Sequence, residues 1–179
     1  MESTSASMPN FAPDPKPKST PAPAPNSALL IRRMTAADLD SVIDIAASLN
    51  DAPQWPPAVY TTAVDPDQTP PRIALIAEEF PSETLLGFAV ALVLAPESEL
   101  ETIAVASAGQ RRGVVRRLFA ALAAELSEAG ATSVHLEVRL SNSPALAFYS
   151  ALGFEQMGRR PHYYAAPEED ALLLRLQLP

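Results

Sequence analysis

The chain has 179 residues, of which 47% are hydrophobic, and its formal net charge at pH 7 is −8. This length fits one domain with an extension, and the apolar share excludes a chain that is disordered throughout. The lack of cysteine excludes disulfides, thiolate zinc sites and a cysteine nucleophile, and the acidic balance disfavours general binding to nucleic acid.

The first segment, residues 1–27, differs in composition from the rest of the chain. It is rich in proline, alanine and serine, with seven prolines from Pro9 to Pro25 and Phe11 as its single aromatic residue. Such a segment buries too little apolar surface to offset the cost of ordering it. We predict a disordered tail over 1–27, acting as a linker rather than as a proline-motif ligand, and a folded domain over 28–179.

Neither a membrane span nor a signal peptide is predicted. The longest apolar run, residues 85–95, is shorter than the roughly 20 residues that a spanning helix needs. The N-terminus lacks a charged region followed by an apolar one. We therefore expect a cytoplasmic protein that does not contact membranes.

The first half of the domain is predicted to hold three strands and two helices. A strand begins at Leu29, and the helix after it is capped by Thr35, with Asp38 in its first turn. The segment 50–71 contains six prolines and leaves room for a short helix over 57–64. The two remaining strands are expected over 72–78 and 85–95, joined by a turn at 81–83.

The second half is predicted to alternate strands with helices. Ser143 is the expected N-cap of the last helix, with Pro144 in its first turn and Gly153 at its end. The alternation gives a mixed α/β domain. The predicted elements are strands over 99–106, 133–138, 154–160 and 171–177, and helices over 112–129 and 144–152.

The start of the helix predicted over 112–129 is unusually basic. Helix N-termini carry a partial positive charge, which disfavours nearby cations unless an anion binds there. Gly113 allows close approach of the backbone. The basic residues are Arg111, Arg112, Arg116 and Arg117, and the apolar stripe expected to face the sheet is Val115, Leu118, Phe119, Leu122 and Leu126.

This segment resembles the GNAT acetyltransferases, whose signature Q/R-x-x-G-x-G/A holds the pyrophosphate of coenzyme A. Here the signature has Gln110 and Gly113, but Val115 replaces its final small residue. The resemblance implies acetyl-CoA as co-substrate and no metal. It also implies that the pantetheine arm pairs with Ile103, Ala104 and Val105, and that the phosphates contact Gln110, Arg111, Arg112, Gly113, Val114, Val115 and Arg116.

A second set of segments is similar to the RimI-like branch, the ribosomal-protein-alanine N-acetyltransferases. The similarity covers roughly residues 85–178 and is weak before Arg72. It implies a GNAT fold, α/β (α+β), with a central mixed and mostly antiparallel sheet of six to seven strands flanked by about four helices. The matching segments are 136–139, 141–142, 147–149, 152–154, 159–164 and 169–171.

The resemblance also implies roles for three side chains. Glu137 matches the general base, Tyr149 the acid that protonates the departing thiolate, and Asn142 a coenzyme contact. Glu137 is expected on the strand face opposite Leu136, although a strand glutamate is more often simply solvated and a helix tyrosine simply buried. Glu99, on the strand where other GNAT branches place their base, remains an alternative.

The expected reaction is direct transfer of acetyl to the α-amine of a protein N-terminus in a ternary complex. By resemblance, the acceptor partner is the N-terminal alanine of a ribosomal protein. A small amine or a lysine side chain remains an alternative acceptor, and a non-catalytic acyl-CoA-binding module is an alternative suggested by Val115. His135 and His162 are interpreted as structural, and Trp55, Tyr163 and Tyr164 as buried or lining the acceptor groove.

Overall fold

A computed structural model describes residues 28–49, 55–165 and 167–179. They form one seven-stranded sheet in the order β1-β2-β3-β4-β5-β7-β6. Neighbouring strands are antiparallel except β4 and β5, which are parallel. The predicted mixed, mostly antiparallel α/β architecture is confirmed. The tail predicted over 1–27 lies outside the described residues.

The strands and helices alternate as the sequence predicts, with most ends shifted by one to five residues. The strands are β1 Ala28–Arg33, β2 Arg72–Phe80, β3 Thr84–Leu94, β4 Glu97–Val105, β5 Ser133–Arg139, β6 Glu155–Ala165 and β7 Glu168–Gln177. The helices are α1 Leu39–Ala47, α2 Pro57–Ala63, α3 Val114–Glu128 and α4 Ser143–Leu152, with short 3-10 turns at Ala36–Asp38 and Ser107–Gly109.

Local hydrogen bonds explain where the helices begin. The Thr35 N–H donates to the carboxylate of Asp38 at 2.8 Å, at the 3-10 turn that leads into α1. Helix α3 begins two residues later than predicted, because Gly113 adopts a left-handed conformation with φ 75°. The predicted cap of α4 was wrong by one residue: Asn142, not Ser143, accepts a hydrogen bond from the Ala145 N–H at 3.1 Å.

The sheet buries apolar side chains on both faces. Helices α3 and α4 pack on one face, and α1 and α2 pack on the other around Phe88 and Tyr60. The buried stripe of α3 begins at Val114, whereas the sequence predicts Val115. Val115, the next residue, is only half-buried.

Strands β4 and β5 separate after a short shared ladder. Their parallel pairing covers only Glu97↔Ser133, Ser98↔Val134 and Glu99↔His135. Beyond these pairs β4 stays paired with β3, and β5 with β7. The register of β3 with β4 shifts between Val90 and Ala91, so that Glu101 forms a β-bulge with no residue opposite it on β3. A gap therefore opens in the middle of the sheet.

Candidate active site

A groove of about 720 Å³ fills the gap between β4 and β5. Its walls come from the two separated strands, the loop before α3, the start of α4 and the hairpin between β6 and β7. It is lined by Leu49, Leu100, Glu101, Thr102, Ile103, Ala104, Val105, Gln110, Val115, Leu136, Glu137, Val138, Arg139, Asn142, Pro144, Ala145, Phe148, Tyr149 and Tyr164. A volume of this size accommodates an extended organic ligand.

The β4 wall of the groove offers backbone groups that β3 does not pair, of which the Val105 carbonyl accepts a long 3.5 Å hydrogen bond from the Gln110 side chain. The Ala106 N–H donates to the Leu86 carbonyl at 2.8 Å, which fixes the phase of the ladder with β3. Because alternate residues of an antiparallel strand point their backbone groups to opposite sides, Ala104 faces β3. The N–H and C=O groups of Ile103 and Val105 therefore face the groove, where an extended chain could pair with them as an added strand.

The N-terminus of α3 adjoins the same groove. Gly113 is exposed, and a Cβ placed on it would meet no atom within 4 Å, so its positive φ is what requires glycine here. The first helical bond joins the Arg117 N–H to the Gly113 carbonyl at 3.2 Å. The N–H groups of Val114, Val115 and Arg116 donate to no acceptor in the described part of the chain, as expected for a first helical turn.

The four arginines of this helix start divide into two pairs. Arg112 forms an ion pair with Glu79, and the Arg117 Nη2 donates to the Leu29 carbonyl at 2.9 Å, so both side chains hold α3 against β1 and β2. The side chain of Arg111 is exposed, as is that of Arg116, and neither forms an ion pair with a described residue. Two guanidinium groups thus remain available for an anion.

Tyr149 lies on α4 with its side chain directed to the groove. It is 8% exposed and packs against the rings of Phe148 and Phe154, at centroid distances of 5.4 and 5.2 Å. Its hydroxyl has no hydrogen-bond partner among the described residues. Burial, with a smaller contribution from Tyr164, raises the pKa of Tyr149 above its ordinary value. The group is therefore a protonated hydroxyl at any physiological pH.

Glu137 lies on β5 with its side chain on the face opposite the α3 core. Its carboxylate forms an ion pair with the Arg160 Nη1 at 2.7 Å and accepts a hydrogen bond from the Tyr163 hydroxyl. That hydrogen bond, followed by burial, raises the pKa of Tyr163 to about 12. The sequence places Glu137 on this face correctly, but no local pattern indicates its partners Arg160 and Tyr163.

Two further carboxylates, on β4, lie near Glu137. Glu101, at the bulge, binds Arg72 through two hydrogen bonds of 2.7 and 2.9 Å. Glu99 forms no ion pair with a described residue, and partial burial, then the nearby carboxylates of Glu137 and Glu101, raise its pKa. Glu99 lines a separate depression of about 340 Å³ together with His135, whereas Glu101 and Glu137 line the groove that contains Tyr149.

The loop between β5 and α4 is held by a carboxylate from β7. Glu169 accepts hydrogen bonds from the backbone N–H of Ser141, from its hydroxyl at 3.0 Å, and from the Arg139 guanidinium at 3.3 Å. The same guanidinium lies 4.0 Å from the ring centroid of Tyr164. These contacts fix the start of α4, and with it Asn142 and Tyr149, relative to the groove.

The family model described as the acetyltransferase (GNAT) family matches residues 40–154. The chain belongs to the GNAT family of acetyltransferases. The family uses acetyl-CoA.

Relatives of this GNAT chain include named N-terminal acetyltransferases. The [ribosomal protein bS18]-alanine N-acetyltransferase of Salmonella typhimurium is 39% identical over 98 residues, which are 54% of this chain and 66% of that enzyme. The N-alpha-acetyltransferase RimI of Mycobacterium tuberculosis is 34% identical over 158 residues, covering 85% of this chain and 94% of that protein. The chain spans 44% of an uncharacterized Mycobacterium leprae protein that is 35% identical over 165 residues, or 89% of this chain.

A solved structure shares the whole fold. The ribosomal-protein-S18-alanine N-acetyltransferase from Escherichia coli superimposes with a TM-score of 0.74 and 27% identity, covering 84% of this chain and 94% of that one. In this acetyltransferase no helix among residues 28–49, 55–165 and 167–179 is long and apolar enough to cross a membrane. The same residues include no cluster of three or more side chains suited to a metal ion.

Proposed function

We propose that this chain transfers the acetyl group of acetyl-CoA to the α-amine of a protein N-terminus. The observation that carries the proposal is the groove between β4 and β5, which connects the unpaired start of α3 to Tyr149 and Glu137. Relatives that acetylate the N-terminal alanine of ribosomal protein bS18 make such an alanine the first acceptor to test. We place the activity in the cytoplasm, without a membrane or a nucleic-acid partner.

The residues around the groove fit coenzyme A in both shape and charge. The backbone groups of Ile103 and Val105 would hold the pantetheine arm, and the N–H groups of Gly113, Val114, Val115 and Arg116 would hold the pyrophosphate. Arg111 and Arg116 would add charge-assisted contacts. Among the described residues the Asn142 side chain uses only its oxygen, in capping α4, so its amide N–H groups have no partner there.

The chemistry requires a neutral amine and a proton for the leaving sulfur. When bound, acetyl-CoA supplies an activated thioester. A terminal amine is mostly protonated at neutral pH, since its ordinary pKa is about 7.7–8.0. Glu137 would accept the proton of this ammonium, directly or through one water, because its carboxylate lines the groove that contains Tyr149.

Tyr149 would donate its hydroxyl proton to the sulfur as the C–N bond forms and the C–S bond breaks, and its phenolate would then take the second proton that the attacking nitrogen loses. Its raised pKa keeps the hydroxyl protonated beforehand, and among the described residues no hydrogen-bond partner holds that proton. The buried rings of Phe148 and Phe154 hold the tyrosine in one orientation. Glu99 is the less favoured base, because it lines the neighbouring depression rather than the groove.

A panel of acceptors tests this proposal. One peptide begins with a free alanine, a second has a blocked N-terminus and one internal lysine, and a third acceptor is a small diamine. We expect turnover with the free alanine peptide and mass spectrometry to place the acetyl group on its α-nitrogen. Turnover of the diamine or the blocked peptide alone would replace the proposed acceptor with a side-chain or small amine.

A further inference from the structure

Two carboxylates line the groove, those of Glu101 and Glu137. Their arginine partners differ in how far they are exposed to solvent. The side chains of Arg72 and Glu101 are 17% and 14% exposed, so that ion pair is largely enclosed. In the pair formed by Glu137, the carboxylate side chain is 18% exposed but that of Arg160 is 53% exposed. Arg72 is therefore an enclosed side chain, whereas Arg160 contacts its carboxylate from the solvent-exposed side.

The backbone around Arg160 supports an exchangeable side chain. Arg160 lies on β6, an edge strand, where pairing with β7 is interrupted between Arg160 and Tyr164. Besides Glu137, the described partner of its guanidinium is the ring of Tyr163, 5.1 Å away. Because the Arg160 side chain is 53% exposed, water can solvate its guanidinium when it leaves Glu137.

We propose that Arg160 competes with the acceptor ammonium for the carboxylate of Glu137 and thereby sets the affinity for cationic acceptors. This inference rests on the proposed function, in which Glu137 receives the amine. The guanidinium lies on Oε1 of Glu137, one of the two carboxylate oxygens, and partly neutralises the charge that would attract an ammonium. An acceptor ammonium therefore competes with Arg160 for this carboxylate before its proton moves.

The departure of Arg160 leaves a binding position of stronger negative charge. Glu99 and Glu137 are close enough that each carboxylate affects the other, and Glu99 has no ion-pair partner among the described residues. Without the guanidinium, both carboxylates attract the incoming ammonium. Arg160 thus lowers the affinity for every cationic acceptor and leaves neutral ligands unaffected.

Arg160→Gln and its neighbour Arg159→Gln form a matched test. Both remove one half-exposed positive charge from β6, but Arg159 pairs with Asp170, outside the groove. At saturating acetyl-CoA we expect Arg160→Gln to lower the acceptor KM about three- to tenfold with kcat nearly unchanged. For Arg159→Gln we expect an acceptor KM and a kcat within about twofold of the wild-type values. For Arg160→Lys we expect an acceptor KM near that of wild type, because lysine retains the positive charge.

A neutral ligand isolates the competition from other effects of the substitution. An alanine peptide lacking only its α-amino group should inhibit wild type and Arg160→Gln with the same Ki. An unchanged or raised acceptor KM in Arg160→Gln would overturn the inference, as would equal tightening of the neutral peptide. If wild type acetylates only small amines, the proposed function fails, and the same KM comparison on that amine still tests Arg160.

Discussion

Glu99 and His135 are the last paired residues of the parallel ladder between β4 and β5. Beyond this pair β4 remains paired with β3 and β5 with β7, but β4 and β5 no longer pair with each other. The sheet therefore opens between them while the outer strand pairs stay intact. Glu137 lies two residues past His135, at the start of the opening. The position of this one pair therefore determines where the groove begins and places Glu137, the one carboxylate of β5, beside it.

Replacing Tyr149 with phenylalanine should remove the proton donor while preserving the ring. We expect Tyr149→Phe to lower kcat by about 10²- to 10³-fold, with the Kd of coenzyme A nearly unchanged, as calorimetry can show. Tyr60→Phe is the control, since Tyr60 is buried in the α1 and α2 core and should keep full kcat. Equal losses of binding and turnover in Tyr149→Phe would make that tyrosine purely structural.

The two candidate bases can be separated by substitution with glutamine. Because Glu137 lines the groove and Glu99 lines the smaller depression, Glu137→Gln should lower kcat/KM at pH 7 by about 10²-fold or more. Glu99→Gln should lower it less than about tenfold. The reverse order of losses would move the base to Glu99.

The raised pKa of Glu99 predicts a pH-dependent effect on stability. Partial burial and the neighbouring carboxylates disfavour its ionised form, so the folded state binds its proton more tightly than the unfolded state does. Stability from this group is present below its ordinary pKa and is lost as pH rises through the raised one. Glu99→Gln should therefore raise the Tm at pH 7 and leave it almost unchanged near pH 4; thermal melts at both values measure this.

Val115 occupies the last small position of the coenzyme signature. Since it is half-buried and lines the groove, its bulk should weaken contact with the phosphates. Val115→Ala should tighten coenzyme A binding a few-fold, whereas Val115→Gly frees one further methyl group of space but costs about 1 kcal/mol of helix stability. Val114→Ala is the control, because Val114 is 2% exposed and its truncation should lower stability without changing Kd. Weaker binding by Val115→Ala would contradict the crowding argument.

The sequence predicts the parts of this site that depend on local patterns. A glycine before an apolar helical stretch predicts the position of Gly113 at the start of α3. The alternation of apolar and polar residues along β5 predicts that Glu137 lies on the face opposite the α3 core. The start of α3 is misplaced because the left-handed Gly113 excludes Arg112 from the helix. The buried stripe of α3 includes Val114 rather than the predicted Val115.

The ion pairs around the site and the bulge in β4 depend on contacts between residues far apart in the chain, which local sequence patterns do not predict. Arg112 meets Glu79 and Arg160 meets Glu137 across strands that are far apart in the chain, so spacing alone cannot pair them. The bulge at Glu101 arises from the register with β3, not from a glycine or proline in β4. Sequence spacing therefore cannot show which arginines form ion pairs within the fold and which remain available to a ligand.

Hydrogen–deuterium exchange with and without acetyl-CoA tests the central claim most directly, because the claim concerns backbone N–H groups. Saturating acetyl-CoA should slow exchange in peptides covering residues 103–105 and 113–116, and leave β1 and β6 unchanged. Slowed exchange confined to other segments, with no protection at the start of α3 or along the open edge of β4, would contradict the proposed coenzyme site.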